Sequence, residues 1–231
     1  MLDQLALSFQ LRDDATFDNF YDEGTHAEIV HRLERMAVLD GEPFVYLSGS
    51  AASGKTHLLQ AVCQAASKRG QSAMYLPLHQ PHTFHTEALK GIEDVALICI
   101  DDIDQIAGNK AWEEALFHLF NAIRLKGHFL LVSARLRPKD LTLSLPDLQS
   151  RLSSGLCYVL EPLDDLQKEQ ALKLRALKRG LVLNETVARF LLNHCPRDMT
   201  QLFSRLDILD KASLKAQRRL TIPFVKEVLD L

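Results

Sequence analysis

Gly49-Ser50-Ala51-Ala52-Ser53-Gly54-Lys55-Thr56 has the form GxxxxGK[ST], and the residues around it have the pattern such a loop needs. The apolar run Phe44-Val45-Tyr46-Leu47 leads in, and His57-Leu58-Leu59-Gln60-Ala61-Val62 leads out at helical spacing. Strand, glycine loop and helix N-terminus in that order make an anion site. Small residues let backbone N–H groups converge on phosphate oxygens, and the helix dipole adds partial positive charge there. Lys55 is expected to neutralise β and γ phosphates, and Thr56 to set its hydroxyl on Mg²⁺. The stretch Gly49 to His57 is therefore read as the seat of ADP or ATP.

Working outward, short apolar runs alternate with amphipathic helices. Strands are predicted over 44–48, 72–76, 95–100, 128–133 and 156–160. A helix is predicted from Glu28 to Val38, and another on the stripe Trp112, Ala115, Leu116, Leu119, Phe120 and Ile123. That alternation specifies an α/β fold, a five-stranded parallel sheet with helices on both faces. Ligands of such sheets sit at the carboxyl ends of the strands. Residues 1–22 read as extended. Past Pro162 only helical segments follow, over about 165–179, 184–194, 198–215 and 222–230, so a small helical domain succeeds the sheet.

Val95-Ala96-Leu97-Ile98-Cys99-Ile100 delivers Asp101-Asp102 to a strand end, the Walker B arrangement. Asp101 is expected to order Mg²⁺ and Asp102 to polarise an attacking water. Asp104 reads as a solvated carboxylate. Phe129-Leu130-Leu131-Val132 ends in Ser133, a polar group within reach of the γ phosphate or water. Arg151, before the fifth strand, and Arg197, at a helix start, have the guanidinium geometry for phosphate. The pattern by itself favours surface ion pairs for both.

The chain has 231 residues and a net charge of −3, which argues against bulk non-specific DNA binding. No apolar run approaches the roughly 18 residues of a membrane span, and the N-terminus lacks a basic leader region. A cytoplasmic protein without membrane contact is expected. Cys63, Cys99, Cys157 and Cys195 are widely spaced in apolar segments and read as buried small hydrophobes.

Core, helical domain and motifs together resemble the AAA+ family of P-loop nucleoside triphosphatases, in its DnaA-like clade, from about residue 14 to the C-terminus. Thr16-Phe17-Asp18-Asn19-Phe20 is similar to the entry segment of the DnaA nucleotide-binding domain, which implies Phe17, Asn19 and Phe20 beside the base. Ile100-Asp101-Asp102-Ile103 resembles the DnaA Walker B segment. Ser133 then falls at sensor 1, Arg151 at an arginine finger acting in trans, and Arg197 at sensor 2. The implied domains are a clamp-binding segment over 1–13, a nucleotide-binding domain over 14–162 and a helical lid over 163–231.

With Leu231 following the predicted lid, the chain is expected to carry neither the helix-turn-helix reader of DnaA initiators nor their N-terminal interaction domain. Gln4-Leu5-Ala6-Leu7-Ser8-Phe9 resembles a QLxLxF peptide that docks on the sliding clamp of DNA polymerase, with Gln4, Leu5, Leu7 and Phe9 as anchors. The hexapeptide by itself reads equally well as a frayed terminus or an edge strand. The resemblance implies a nucleotide-bound regulatory inactivator. With the DNA-loaded clamp it would stimulate ATP hydrolysis by DnaA and repress re-initiation of replication. Its own turnover would be weak or nil. DNA would be met through the clamp, and self-association stays open. The rival reading is a DnaC-like helicase loader, or another AAA+ ATPase working by its own hydrolysis.

Overall fold

The computed structural model describes residues 11, 14–78, 85–196 and 198–231. The clamp-type peptide anchors Gln4, Leu5, Leu7 and Phe9, and also Arg197, lie outside the described residues. The chain divides after Glu161 into two compact units.

The first unit is built on β1 (Phe44–Gly49), β2 (Ala73–Pro77), β3 (Leu97–Asp101), β4 (Phe129–Ala134) and β5 (Leu156–Leu160). All pairings are parallel, in the order β2-β3-β4-β1-β5. Side chains alternate across such a sheet with period two, and the register makes the alternation collective. Phe44 and Tyr46 pair with Leu130 and Val132, which pair with Ile98 and Ile100. This set forms one face, covered by Leu116, Leu119, Phe120 and Ile123 of α3 (Lys110–Lys126) and by Leu148 and Leu152 of α4 (Pro146–Leu152). The alternate set, Val45, Leu47, Leu97, Cys99 and Leu131, forms the other face. It is covered by Ile29, Leu33 and Met36 of α1 (Ala27–Met36) and by Leu58, Leu59, Val62 and Ala66 of α2 (Lys55–Lys68). The expected five-stranded parallel sheet with helices on both faces is the observed one.

The second unit comprises α5 (Asp165–Lys178), α6 (Glu185–His194), α7 (Met199–Ala216) and α8 (Ile222–Leu229). Each starts on a side-chain cap: Asp164, Asn184, Asp198 and Thr221 accept backbone N–H bonds from Gln167, Val187, Gln201 and Phe224. The Gln167 side chain in turn accepts from the Asp164 N–H at 3.0 Å, completing a capping box. The apolar interior of this unit includes Leu172, Leu191, Leu202, Leu206 and Val225.

Three local readings are corrected. Phe17–Asn19 forms a 3₁₀ turn within the stretch expected to be extended, closed by Asn19 Nδ2 donating to the Asp14 carbonyl at 2.8 Å. Residues 146–152 form the unpredicted α4, with Pro146 in its first turn. Cys157 is exposed, whereas Cys63, Cys99 and Cys195 are buried. Strand β5 is a sheet edge, and alternate residues there face outward.

Candidate functional site

The register that splits the core also assembles the site. Asp101 continues the series Leu97, Cys99 to the end of β3, and Ser133 continues Leu131 to the end of β4. Both therefore face α2, whose N-terminus carries the glycine loop. Strand order places β4 between β1 and β3, so Ser133 sits between loop and carboxylates.

The loop is shaped by backbone geometry. Gly54 lies at φ 98°, a left-handed conformation that suits glycine. A Cβ there would stand 2.8 Å from Phe20 Cε2. A Cβ on Gly49 would stand 2.5 Å from the Leu160 carbonyl. Ala52 adopts φ 59°, so the loop turns tightly at a residue that carries a side chain. The Ser53 hydroxyl is buried and finds no hydrogen-bond partner among the described residues. Lys55, only 5% exposed, donates through Nζ to the carbonyls of Gly49 at 2.7 Å and Ser50 at 2.8 Å. Burial pushes its ammonium below the ordinary lysine range, against the pull of Asp102, Asp101 and Asp104.

Asp101 is the hub. Its Oδ2 accepts from Thr56 Oγ1 at 2.7 Å and from the Tyr75 hydroxyl at 2.8 Å, and its Oδ1 accepts from Ser133 Oγ. Ser133 Oγ in turn accepts from the Asp102 N–H at 3.1 Å. Asp102 itself is left-handed, φ 59° and ψ 49°, where the chain leaves β3 for a 3₁₀ turn over Ile103–Ile106. Aspartate enters that region more readily than most side chains. Asp104 is not solvated as expected. Its Oδ1 accepts from the Arg135 N–H at 3.0 Å, and its side chain is 12% exposed.

Tyr75 is the residue that sequence reading missed. It pairs with Cys99 across the β2–β3 ladder, so it lies on the Asp101 side. Burial, and then the nearby Asp101 charge, hold its phenol well above the ordinary tyrosine range, so it is a fixed donor. The available signal was its place one residue pair before Asp101 in a parallel register.

The entry-segment residues divide. Phe20 packs at the loop, with its ring 5.8 Å from that of His57, and His57 Nε2 donates to the Thr16 carbonyl at 2.7 Å. Phe17 lies farther along α2, sharing a recess with Ala61, Gln64, Ala65 and Lys68. Asn19 is engaged in its own turn. Arg151 is near the C-terminus of α4, exposed, and no carboxylate among the described residues pairs with it.

Residues 11–159 match the bacterial DnaA ATPase domain. The chain belongs to the DnaA ATPase-domain family. Residues 165–229 match a second family, the Hda lid domain. This is therefore a DnaA-like AAA+ protein, a nucleoside triphosphatase sheet followed by a helical lid of the Hda kind. Among solved structures it is similar to domain III of the replication initiation protein DnaA of Thermotoga maritima. The TM-score is 0.79 at 21% identity, over 96% of this chain and 98% of that one. It is similar also to AMPPCP-bound DnaA of Aquifex aeolicus, with TM-score 0.70 at 24% identity over 87% and 66%. The RuvB Holliday junction branch migration motor of T. maritima gives 0.66 at 17%, over 93% and 73%. At these identities the likenesses speak for the fold. Among the described residues no helix is long and apolar enough to cross a membrane.

Proposed function

We propose that this chain is a nucleotide-bound regulator of DnaA: with the DNA-loaded sliding clamp it stimulates ATP hydrolysis by DnaA and so represses re-initiation. The observation that carries the reading is Arg151, an exposed arginine without a carboxylate partner among the described residues, on a DnaA-type ATPase domain joined to an Hda-type lid.

The donor set fits a nucleoside phosphate with Mg²⁺. A buried serine hydroxyl without a hydrogen-bond partner among the described residues, a lysine ammonium on the loop and a glycine turn that a Cβ would obstruct suit phosphate oxygens. A threonine hydroxyl beside a carboxylate is a hard-oxygen pair suited to Mg²⁺, which would screen phosphate charge when bound. Gly49 to Thr56 would hold the phosphates, Thr56 and Asp101 the metal, and His57 and Phe20, which pack at the loop, the rest of the nucleotide. The AMPPCP-bound DnaA of A. aeolicus supports ADP or ATP as the ligand class.

Within this chain, Ser133 orients Asp101 and Asp102 against each other, and Asp102 is the group for holding a water. The productive chemistry is assigned to the partner. Arg151 would donate to the phosphoryl oxygens of ATP held by DnaA as water attacks the γ phosphorus and the bond to the bridging oxygen breaks. Fingers supplied in trans raise turnover by about 10³–10⁵. The peptide Gln4, Leu5, Leu7, Phe9 would tether the protein to the clamp, and so to DNA, in the cytoplasm.

The test mixes DnaA loaded with labelled ATP, clamp loaded on DNA, and this protein. Conversion to ADP should require all three, and Gln4→Ala should remove clamp capture. Binding to a replicative helicase without clamp capture would support the loader reading instead.

A further inference from the structure

Glu113 sits in the first turn of α3, and none of its surface is exposed. No lysine or arginine among the described residues pairs with it. Its partners are two backbone donors: Oε1 accepts from the Gly108 N–H at 2.7 Å, and Oε2 from the Leu145 N–H at 2.7 Å. A buried carboxylate costs several kcal/mol of desolvation, and an apolar residue of similar volume often serves stability as well. What the carboxylate supplies is two short bonds with a fixed separation.

The two donors belong to functional segments. Gly108 follows the 3₁₀ turn that leaves Asp101 and Asp102. Leu145 is the residue before α4, the helix that carries Arg151. The Leu145 side chain makes no capping bond of its own. Glu113 therefore ties the start of α4 from outside the helix. A second tie comes from Gln149, whose Nε2 lies 3.2 Å from the Pro138 carbonyl and 3.3 Å from those of Lys139 and Leu141. Leu148 and Leu152 bury one face of the same short helix in the core. Seven residues are too few to hold a helix by their own hydrogen bonds, so these anchors set where Arg151 stands.

We propose that Glu113 is a positioning residue for Arg151, fixing α4 against the segment that follows the Walker B strand. The proposal rests on the reading of Arg151 as a finger for the ATP of DnaA. Glu113→Gln keeps the shape, and its amide can serve one N–H while opposing the other.

The experiment follows stimulated hydrolysis of DnaA-bound ATP with loaded clamp, over a range of concentrations of the wild type, E113Q, Arg151→Ala and the double variant. Misplacement of a catalytic group by about 1 Å can cost ~10²-fold, so the maximal stimulated rate of E113Q should fall by about tenfold or more. The half-saturating concentration should stay within about twofold, because docking is untouched. Backbone amides of residues 145–152 should exchange faster with solvent while those of β1, β3 and β4 do not. The double variant should be no slower than Arg151→Ala.

A full maximal rate in E113Q would overturn the proposal. So would a loss seen only as a raised half-saturating concentration, or faster exchange throughout the sheet. If E113Q does not fold, Glu113→Asp, which keeps the charge but shortens the reach, carries the same measurements. Stimulation that survives Arg151→Ala defeats the finger reading itself. Stimulation lost in Arg151→Ala but intact in E113Q defeats the positioning role alone.

Discussion

Thr56 Oγ1 donates to Asp101 Oδ2 at 2.7 Å, joining the first turn of α2 to the end of β3 within one hydrogen bond. Both atoms are oxygen donors of the kind Mg²⁺ takes. The bond places in contact the two groups proposed above to hold Mg²⁺. Asp101→Asn replaces one acceptor by a donor that faces the hydroxyls of Thr56, Tyr75 or Ser133. Affinity for ADP should then lose most of its dependence on Mg²⁺, by about tenfold or more, in the range found when metal-site partners are altered. Titration of a fluorescent ADP analogue with and without Mg²⁺ reads this. An unchanged Mg²⁺ dependence would remove Asp101 from the site.

Tyr75 tests whether the carboxylate is held by design. Tyr75→Phe removes one donor to Asp101 and should destabilise the first unit by about 1.5–3 kcal/mol, the cost of a lost hydrogen bond to a charged group. Urea unfolding measures it. Alkaline difference spectra of the wild type should show Tyr75 silent where ordinary tyrosines ionise, because burial and Asp101 raise its phenol.

Gly155 meets β1 so closely that a Cβ would lie 2.3 Å from Phe44 Cδ1 and 2.5 Å from the Phe44 carbonyl. Gly155→Ala should cost about 1–3 kcal/mol by overpacking, read as a lowered urea midpoint. Since Phe44 also packs edge-on against Phe120, with centroids 4.9 Å apart, the disturbance should reach α3.

In the helical unit Glu169, 4% exposed, accepts from Lys173 at 2.5 Å and Arg189 at 3.2 Å. Burial pushes its carboxyl up, but the two cations outweigh that and hold it below the ordinary glutamate value. A depressed carboxyl stabilises the fold at pH above its unfolded pKa, about 4.3. That contribution is lost as pH falls from there through the folded value. Thermal unfolding followed from neutral pH downward should show the loss, and Glu169→Gln should flatten it.

Much of this site is written in local pattern. The glycine loop, the acidic end of β3 and Ser133 at the end of β4 all sit where period-two strands meet polar residues. The contacts among Thr56, Asp101 and Ser133 follow once those strands are placed side by side. What local pattern does not carry is partnership across distance. Asp104 resembles any surface carboxylate until the Arg135 N–H arrives from the end of β4. Glu113 looks like an ordinary acidic residue in a helix first turn, and only the return of the chain at Leu145 buries it. Helix α4 is too short to register a helical period, although Pro146 marks its start. The exposure of Cys157 depends on β5 being an edge, which is a property of strand order.

Arg151 is proposed to act on ATP held by DnaA. The most direct test is the single-turnover hydrolysis rate of DnaA-bound ATP with DNA-loaded clamp, comparing the wild type with Arg151→Ala at saturating concentration. The variant should still bind the clamp and its own nucleotide but lose the stimulation, by as much as the ~10³–10⁵ typical of fingers supplied in trans. A variant that stimulates at the wild-type rate would contradict it.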